Sequence, residues 1–343
     1  MGTALQSLLP LSVCLVLSAL LTPVARVMAG RLGLLDKPSA HKAHETPTPL
    51  MGGTAMFAAL AIGAVASGLL TGRMAGIVLA ATLLFGLGLW DDARGMAPKV
   101  KFLGQLLAVG LAVSLGLVAR VAGTPLLDIP LTLLWLVGLT NSLNLLDNMD
   151  GISSGVAAVV AVFFFFAATV LGDGQVGAVA LCLAGAALGF LIYNFPPATI
   201  FLGDSGSMVY GFVLAALGIL LMNEARGPSE MLAPCALMAL PTLDTTLVTV
   251  TRRLEGRDIS QGGKDHMSHR MAALGASART VAWAHYGLAA AFGTAGIAYL
   301  LADAPARIAL VVSVLSAAVF LGVALSRVPV EAGGVARSLP LEG

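Results

Sequence analysis

Long apolar segments separated by short polar ones occupy almost the whole chain. Segments of about 20 mostly apolar residues, the length of a helix that crosses a bilayer, begin at about eleven places. These places are near residues 4, 50, 74, 102, 129, 154, 176, 206, 231, 281 and 307. Several segments are joined by only a few residues, such as "TGR" or "LGDGQ", so neighbouring helices must run antiparallel. The pattern predicts an all-α polytopic membrane protein of about 11 transmembrane helices.

The pattern also predicts how the chain is divided. Residues 1–326 are expected to form a single transmembrane domain that carries all the candidate chemistry. Its first apolar segment has no basic residue before it and is longer than a signal-peptide core, which favours a first membrane helix. The segment 327–343 is small, polar and contains Pro and Gly, so we expect a disordered cytoplasmic tail.

Composition agrees with membrane insertion. The chain is 58% hydrophobic and 11% charged, whereas soluble domains carry about 25% charged residues. Mean hydropathy is +0.92. The net charge of +1 offers no electrostatic argument for a nucleic-acid partner. The partner that composition implies is the lipid bilayer.

Basic residues are distributed unequally between the two sides of the predicted membrane. One side carries Arg31, Lys37, Lys42, Arg94, Lys99, Lys101, Arg252, Arg253, Arg257, Lys264, Arg270, Arg279 and Arg327, and the other essentially Arg73, Arg120, Arg226 and Arg307. The side rich in Lys and Arg is expected to be cytoplasmic, which places the N-terminus outside. Five polar segments fall on that side: "LLDKPSAHKAHETPTPLMGG", "WDDARGMAPKVKF", "NSLNLLDNMDG", "NFPPATIFLGDSGS" and "RRLEGRDISQGGKDHMSHR". We interpret them as one site at the cytoplasmic face.

Two of these segments carry closely spaced acids. Asp91 and Asp92 follow an apolar run and share their loop with Lys99 and Lys101, a combination that suits a divalent cation together with phosphates. The alternative is a pair of helix-end carboxylates that meet water. Asn141, Asn144, Asp147 and Asp150 recur every three residues, a spacing that lines one wall of a cleft, although an ordinary polar helix end is the alternative. Their oxygens are ligands that Mg²⁺ accepts.

The next polar segment contains Asp204, which lies between Gly203 and Gly206 and precedes an apolar helix. An Asp at this position is often just an N-cap, but beside the other acids metal ligation is the stronger interpretation. Asn194 ends the helix before it and could be only a helix stop. Asp244 lies about two turns inside a predicted helix, where an acid either has a function or is satisfied by neighbouring threonines.

The last polar segment, "GGKDHMSHR", brings Lys264, His266, His269 and Arg270 together. No cysteine or third histidine lies near, so phosphate or sugar recognition is a better interpretation than zinc. His44 belongs to a similar but less specific basic set in the first polar segment. These residues describe a cleft for Mg²⁺ and phosphates at the membrane surface, which implies that one substrate is a lipid.

The five polar segments, in their order and spacing, resemble those of the polyprenyl-phosphate N-acetylhexosamine-1-phosphate transferases over nearly the whole chain. The resemblance implies ten or eleven helices in a bacterial cell membrane, with the active site facing the cytoplasm. It implies transfer of a sugar-1-phosphate from a UDP-N-acetylhexosamine to a polyprenyl phosphate with release of UMP. It also implies Mg²⁺, a role in which Mn²⁺ can substitute. A homodimer is left open.

The resemblance assigns roles residue by residue. Asp204 and Asn144 would hold Mg²⁺, Asp91 would deprotonate the lipid phosphate or act covalently, and Asp92 would support it. The substrate-binding residues would be Lys101, Asn141, Asp147, Asp150, Asn194, His266, His269, Arg270 and His44.

Two features of the sequence bear on the donor. The segments "DNMDG" and "HMSH" resemble those of the branch that transfers N-acetylglucosamine-1-phosphate to undecaprenyl phosphate more than those of the phospho-MurNAc-pentapeptide transferases. The latter remain the alternative. A cation-coupled transporter is an alternative of a different class. It would place its acids near the midplane between repeats, and we see no repeat.

Overall fold

The structure is a computed structural model, and it describes residues 2–36, 47–69, 72–259 and 262–330. His44 and the last thirteen residues of the predicted tail, 331–343, therefore lie outside the described residues.

Helices account for most of the described chain. Their bounds are α1 Gly2–Leu32, α2 Gly52–Ala66, α3 Met74–Arg94, α4 Pro98–Ser114, α5 Pro125–Leu146, α6 Ile152–Leu171, α7 Gly174–Asn194, α8 Asp204–Asn223, α9 Ala233–Leu237, α10 Ala239–Leu254, α11 Met267–Ala273, α12 Ala278–Leu301 and α13 Ala304–Ser326. A 3₁₀ turn, Glu230–Leu232, precedes α9. Two short antiparallel strands, β1 Leu35–Asp36 and β2 Thr48–Pro49, follow α1. The prediction of an all-α polytopic fold is confirmed.

The number of spans is lower than predicted if length is the criterion. Within the described ranges eight helices are long and apolar enough to cross a membrane, or nine if the bent pair 230–237 and 239–254 counts as one span. The two parts of that pair meet at 65°. The other two predicted spans correspond to α2, with 15 residues, and α4, with 17. Both fall short of the roughly 20 residues that a bilayer requires.

Helix α8 lies at the centre of the bundle. Its apolar window is completely buried, and it packs mainly against α3 and α5 and also against α2 and α6. Small residues allow these close approaches. A Cβ on Gly211 would come within 2.7 Å of Leu139 O, and a Cβ on Gly53 would come within 2.3 Å of the Gly206 nitrogen. Close backbone contact between small residues is how membrane helices associate in lipid.

The other helices form layers around α8. Helices α1 and α7 pack closely because Gly185 and Gly189 face the carbonyls of Leu11 and Leu15, each 2.1–2.3 Å from where a Cβ would be. Helix α13 lies at the periphery, and Leu325 is its one buried residue. Most of its exposed residues are large and apolar, as expected for a helix that contacts lipid.

The segment around β2 connects the first polar segment to the start of α8. Leu50 forms an isolated bridge with Phe201, and the Phe201 N–H donates to Pro49 O at 2.8 Å. The N–H groups of Gly52 and Gly53 donate to Phe201 O and Leu202 O. The loop that precedes α8 is therefore held on one side by backbone hydrogen bonds.

Candidate active site

Four helices contribute to one group of polar side chains, which we call the acidic cluster: Asp91 (α3), Lys101 (α4), Asn144 (α5) and Asp204 (α8). Lys101 Nζ lies 3.1 Å from Asp91 Oδ2 and 2.5 Å from Asp204 Oδ2. It also donates to Asn144 Oδ1 at 3.2 Å, while Asn144 Nδ2 donates to Asp204 Oδ1 at 2.6 Å. One ammonium group thus holds two carboxylates and an amide oxygen together.

The cluster lies where the helices end rather than at the middle of the bundle. Asp91 is in the last turn of α3 and Asp204 is the first residue of α8. The side chains of Lys101 and Asp204 keep 16% and 29% of their exposure. The position at one end of the bundle confirms that the predicted acids gather at a boundary. It does not fit the midplane site that the transporter alternative requires.

Asp92 holds the backbone that carries Asp204. Its Oδ1 accepts the Asp204 N–H at 2.7 Å, and its Oδ2 accepts the Ser205 N–H at 3.1 Å. The carboxylate therefore caps the positive end of the α8 dipole, where negative charge is favoured. Asp92 thus contacts the backbone of Asp204, and its predicted role in support of Asp91 stays a prediction.

Two glycines permit this approach. Gly203 has φ +76°, and a Cβ there would come within 2.5 Å of Asp92 Oδ2. Gly88, one turn before Asp92 on α3, would place a Cβ within 2.4 Å of the Ser205 nitrogen. Larger residues at either position would push α3 away from the start of α8, so both glycines help to build the site.

A second set of contacts joins α4 and α5 one turn below the acidic cluster. Asn141 Nδ2 donates to Gln105 Oε1 at 2.9 Å, and Gln105 Nε2 donates back to Asn141 Oδ1 at 3.3 Å. Gln105 is one turn from Lys101, as Asn141 is from Asn144. The predicted residue Asn141 thus links α5 to α4 next to the cluster. Its partner, Gln105, was not singled out from the sequence.

The oxygen atoms of the cluster suit Mg²⁺. This ion usually takes one or two protein carboxylates and fills its remaining positions with water and substrate phosphates. Asp204 supplies a carboxylate, and Asn144 Oδ1 already faces a positive charge, the Lys101 ammonium. Among the residues that the structure describes, no group of three or more His, Cys, Asp or Glu is arranged as a metal site. The donor set therefore fits a metal held jointly with phosphates rather than a site closed by protein.

The turn after α5 carries Asp147 and Asp150. Burial raises the pKa of Asp147 well above its ordinary value, and the nearby charges of Asp204, Asp92 and Asp150 raise it further. Asp150 Oδ2 accepts the Ala198 N–H at 2.9 Å and so ties this turn to the loop before α8. The predicted spacing does bring these acids to the same end of the bundle, although Asp150 already has a structural partner.

The side-chain amide of Asn194 forms hydrogen bonds with backbone groups. It is 3% exposed, its Oδ1 accepts the Gly151 N–H at 3.1 Å, and its Nδ2 donates to Ile200 O at 3.0 Å. It therefore connects the turn after α5 to the loop before α8. Its predicted contact with substrate remains a prediction without geometric support, because both ends of its amide are used.

The histidine segment begins at α11. His266 Nδ1 lies 2.8 Å from Asp244 Oδ2, and the ring centroids of His266 and His269 are 6.0 Å apart. Burial lowers the pKa of His269 from 6.5 to about 4, and the charge of His266 contributes in the same direction. His269 Nδ1 is buried without a hydrogen-bond partner among the described residues. His269 is thus a neutral imidazole with an unused nitrogen.

Helix α11 is joined to the turn after α5 by a hydrogen bond from Ser268 Oγ to Asn148 Oδ1. Asn148 Nδ2 in turn donates to Leu145 O at 2.8 Å, near the end of α5. The two sequence features singled out above, "DNMDG" and "HMSH", are therefore in contact. The histidines lie next to the acidic turn because of this bond.

Arg270 has a different environment from the one predicted. It is 2% exposed; its Nε donates to Asp265 O, and its Nη1 donates to the carbonyls of Leu325 and Val328 at 3.1 and 3.0 Å. The guanidinium caps the C-terminal end of α13, which is a favourable place for a cation. A contact of Arg270 with substrate stays a prediction, and the hydrogen bonds point instead to a structural role.

Reasoning from sequence missed several contributors. Gln105 and Ser268 carry no charge and stand in segments without a distinctive pattern. Asp265 forms a buried pair with Arg252 at 2.7 Å. Burial disfavours its charged form, but hydrogen bonds and charge from Arg252 outweigh this and lower the pKa of Asp265. Asp244 did give a signal, as an acid inside an apolar helix, but its partner could not be read from the sequence.

Taken together, helix ends at one end of an all-helical bundle bring carboxylates and a lysine together, and a hydrogen bond joins the histidine segment to the neighbouring acidic turn. This is the arrangement of a membrane-embedded phosphotransferase. The family model described as "Glycosyl transferase family 4" matches residues 74–222, a range that runs from the start of α3 almost to the end of α8 and contains the whole acidic cluster. The chain belongs to this glycosyl transferase family 4.

Curated relatives agree with this membership. A Bacillus subtilis protein named "Probable undecaprenyl-phosphate N-acetylglucosaminyl 1-phosphate transferase" is 35% identical over 76% of this chain and 75% of its own. The Mycobacterium tuberculosis (strain H37Rv) decaprenyl-phosphate N-acetylglucosaminephosphotransferase is 36% identical over 76% of this chain and 74% of its own. The Moorella thermoacetica phospho-N-acetylmuramoyl-pentapeptide-transferase is 32% identical over 74% and 86%. The predicted family is confirmed.

Proposed function

We propose that this protein transfers N-acetylglucosamine-1-phosphate from UDP-N-acetylglucosamine to a polyprenyl phosphate and releases UMP. The names of the B. subtilis and M. tuberculosis relatives support a polyprenyl-phosphate acceptor and an N-acetylglucosamine donor. The pentapeptide transferase relative matches at 32% identity and makes the phospho-MurNAc-pentapeptide reaction the second candidate. The product would be the first lipid-linked intermediate of a cell-envelope glycan.

The contact of Lys101 with Asp91, Asp204 and Asn144 is the observation that carries the proposal. The ammonium group of Lys101 contacts the carboxylates of Asp91 and Asp204, and the Asp92 carboxylate lies against the Asp204 N–H, so the cluster has an excess of negative charge. Such an excess is costly at a membrane boundary unless a further cation joins it. A cation that arrives with phosphates would restore the balance.

The reaction joins two phosphates. An oxygen of the polyprenyl phosphate attacks the sugar-bearing phosphorus of the donor, the bond from that phosphorus to the bridging oxygen breaks, and UMP leaves with that oxygen. Asp91 would take the proton of the lipid phosphate before attack. A single displacement agrees with the contacts, because both Asp92 oxygens accept backbone N–H groups and Asp91 Oδ2 is bonded to Lys101.

The remaining residues would bind and position the substrates. Asp204 and Asn144 would hold Mg²⁺, which would neutralise the diphosphate and stabilise the departing UMP. Lys101 would donate some of its hydrogen bonds to the donor phosphates instead of to the carboxylates. Asp147 and Asp150 would lie at the uridine end, and the histidines of α11 would contact the donor's phosphates or sugar.

The location of the reaction is also part of the proposal. The excess of Lys and Arg beside the polar segments favours a site at the cytoplasmic face of a bacterial cell membrane. A nucleotide sugar is polar and would approach from that side, while the lipid acceptor would reach the cluster from the bilayer. Cysteine labelling of a Lys99→Cys variant in closed inner-membrane vesicles would test this orientation.

The decisive experiment measures UMP release from purified protein in detergent with undecaprenyl phosphate and Mg²⁺. The donors are UDP-GlcNAc, UDP-GalNAc, UDP-MurNAc-pentapeptide and UDP-glucose, each with and without lipid. We expect lipid-dependent release with UDP-GlcNAc, and loss of release with EDTA that Mg²⁺ or Mn²⁺ restores. Release with UDP-MurNAc-pentapeptide alone would replace the proposed donor, and release from no donor by folded protein would overturn the proposal.

A further inference from the structure

Asp244 is a buried carboxylate to which the mechanism above assigns no task. It lies in the second turn of α10, is 0% exposed, and belongs to a helix pair that is apolar enough to cross the membrane. An acid in such a place is expensive unless its oxygens are bonded. The identity of its partners therefore decides whether it has a structural or a functional role.

The neighbouring threonines do not satisfy Asp244. Thr242 and Thr246 donate to backbone carbonyls of their own helix, at 2.8 and 2.7 Å. The Thr245 hydroxyl is buried without a partner among the described residues. The simplest structural explanation for the acid, local hydrogen bonds along α10, is thus not what the contacts show.

Both oxygens of Asp244 are used by the start of α11 instead. Oδ2 lies 2.8 Å from His266 Nδ1, and Oδ1 accepts the Met267 N–H at 2.7 Å. A carboxylate that accepts from an imidazole nitrogen holds the proton on that nitrogen and fixes the plane of the ring. The second nitrogen, Nε2, has no hydrogen bond to a described residue and is left for another partner.

The ring that Asp244 fixes is also placed relative to the acidic turn. Ser268, two residues after His266, donates to Asn148 in the turn between Asp147 and Asp150. The start of α11 is therefore held by α10 at His266 and Met267, and by the turn after α5 at the next residue, Ser268. These two attachments define where His266 Nε2 can lie relative to a donor bound at that turn.

We propose that Asp244 is a positioning residue for the reaction: it holds the proton on His266 Nδ1 and orients the ring so that Nε2 is available to the sugar-phosphate donor. The proposal rests on the proposed function, because it assigns the donor as the partner of Nε2. Asp244 itself contacts no substrate. Its role is to select one tautomer and one orientation of a residue that does, as the buried acid of a catalytic triad does for its histidine.

Asp244→Asn tests this with little change in shape. The amide oxygen can still accept the Met267 N–H, so the start of α11 keeps its cap. The amide nitrogen then faces His266 Nδ1 and donates to it, which moves the ring proton to Nε2. Asp128→Asn is the matched control, because Asp128 is also a buried acid that accepts a backbone N–H, from Ala122 at 2.7 Å, but contacts no histidine.

The first readout is the tautomer itself. Protein labelled with ¹⁵N-histidine has five histidines, and a His266→Gln variant identifies the His266 signals in nanodiscs. We expect a protonated Nδ1 in the wild type and in Asp128→Asn, and a protonated Nε2 in Asp244→Asn. An unprotonated His266 Nδ1 in the wild type would overturn the proposal, and that result does not depend on whether Asp244→Asn folds.

The second readout is kinetic. In the UMP-release assay we expect Asp244→Asn to lower kcat by about 10- to 100-fold with donor KM changed by less than about 3-fold, and Asp128→Asn to match the wild type. Unchanged kcat in folded Asp244→Asn with a switched tautomer would also overturn the proposal. If the wild type released no UMP at all, the proposed function would fail, while the tautomer measurement would still report on the Asp244–His266 bond.

Discussion

Helices α3 and α8 carry charged residues at both of their ends, and the two ends differ in how those charges are balanced. At one end Arg73, just before α3, lies 2.5 Å from Asp173 and 3.1 Å from Glu224, just after α8. The Arg73 side chain keeps 37% of its exposure. At the other end Lys101 lies between Asp91 and Asp204 and is 16% exposed. The first end is a bridge at the surface, and the second is more enclosed.

The two ends differ in the carboxylates that surround the cation. Asp173 is also the N-cap of α7, whose Val176 N–H it accepts, so the contacts at the Arg73 end join three helices. At the Lys101 end, Asp91 and Asp204 share one lysine and Asp92 lies beside them, and burial raises the pKa of Asp147, to which the charges of Asp204 and Asp92 also contribute. Arg73 also faces two carboxylates, but one of them, Glu224, is 47% exposed, so water compensates part of its charge. The end that remains acidic is the one at which we place the chemistry.

The largest effect is expected from Asp204→Asn. The variant removes a carboxylate from the acidic cluster but keeps a side chain of the same shape that can still bond Asn144. We expect UMP release to fall by at least about 10³-fold, because under the proposed function Mg²⁺ would lose its charged protein ligand. The thermal midpoint should change little, because Lys101 keeps its contact with Asp91 and Asn144 can still donate to the amide oxygen. Full activity would exclude Asp204 from the mechanism.

A smaller loss is expected from Lys101→Met, which keeps the length of the side chain and removes its charge. We expect kcat/KM for the UDP-sugar to fall by about 100-fold, chiefly through donor KM, because charge-assisted contacts to phosphate are lost. The KM for polyprenyl phosphate should change less. Donor kinetics equal to those of the wild type would show that Lys101 does not reach the phosphates.

The polar end should also respond to pH through His269, whose pKa burial lowers from 6.5 to about 4. Between these values the unfolded chain binds a proton that the folded chain does not, so stability is full above pH 6.5 and is lost as pH falls toward 4. We expect His269→Gln to reduce the fall in thermal midpoint between about pH 7 and about pH 5. An unchanged fall would show that His269 does not titrate as a buried group.

The smallest effect is expected from Arg73→Met, at the more exposed end. Because the arginine is partly exposed, we expect the free energy of unfolding to fall by about 1 kcal/mol or less. UMP release should match the wild type. Thermal unfolding in detergent together with the assay checks both expectations, and a loss of activity as large as that of Lys101→Met would remove the contrast between the two ends.

Much of this arrangement could be predicted from the sequence because membrane helices restrict where polar residues can stand. Asp91, Asn144 and Asp204 each lie at the end of an apolar run, and ends on the same side of a bundle must be near one another. That argument gave the composition of the acidic cluster. It could not show that Asp92 accepts backbone N–H groups while Asp91 contacts Lys101. Two adjacent carboxylates have the same chemistry, and only the folded structure shows where each side chain points.

Other features depend on tertiary contacts that leave no local pattern. The spacing of Asn141, Asn144, Asp147 and Asp150 continues past Leu146, where α5 ends, so the four residues do not share one helical face. Arg270 looks like a phosphate ligand in sequence but caps α13 more than fifty residues later. The lengths of α2 and α4 were overestimated because apolar residues continue beyond the helices.

The central position of α8 has a consequence for biogenesis. Its main neighbours, α2, α3, α5 and α6, all precede it in the chain and so leave the ribosome first. Because α8 is enclosed by them, it must pack between helices that have already left the translocon. Its first residue is Asp204. A nascent chain therefore has an incomplete acidic cluster until α8 is inserted, and catalytic competence arises at a late, identifiable step of membrane assembly.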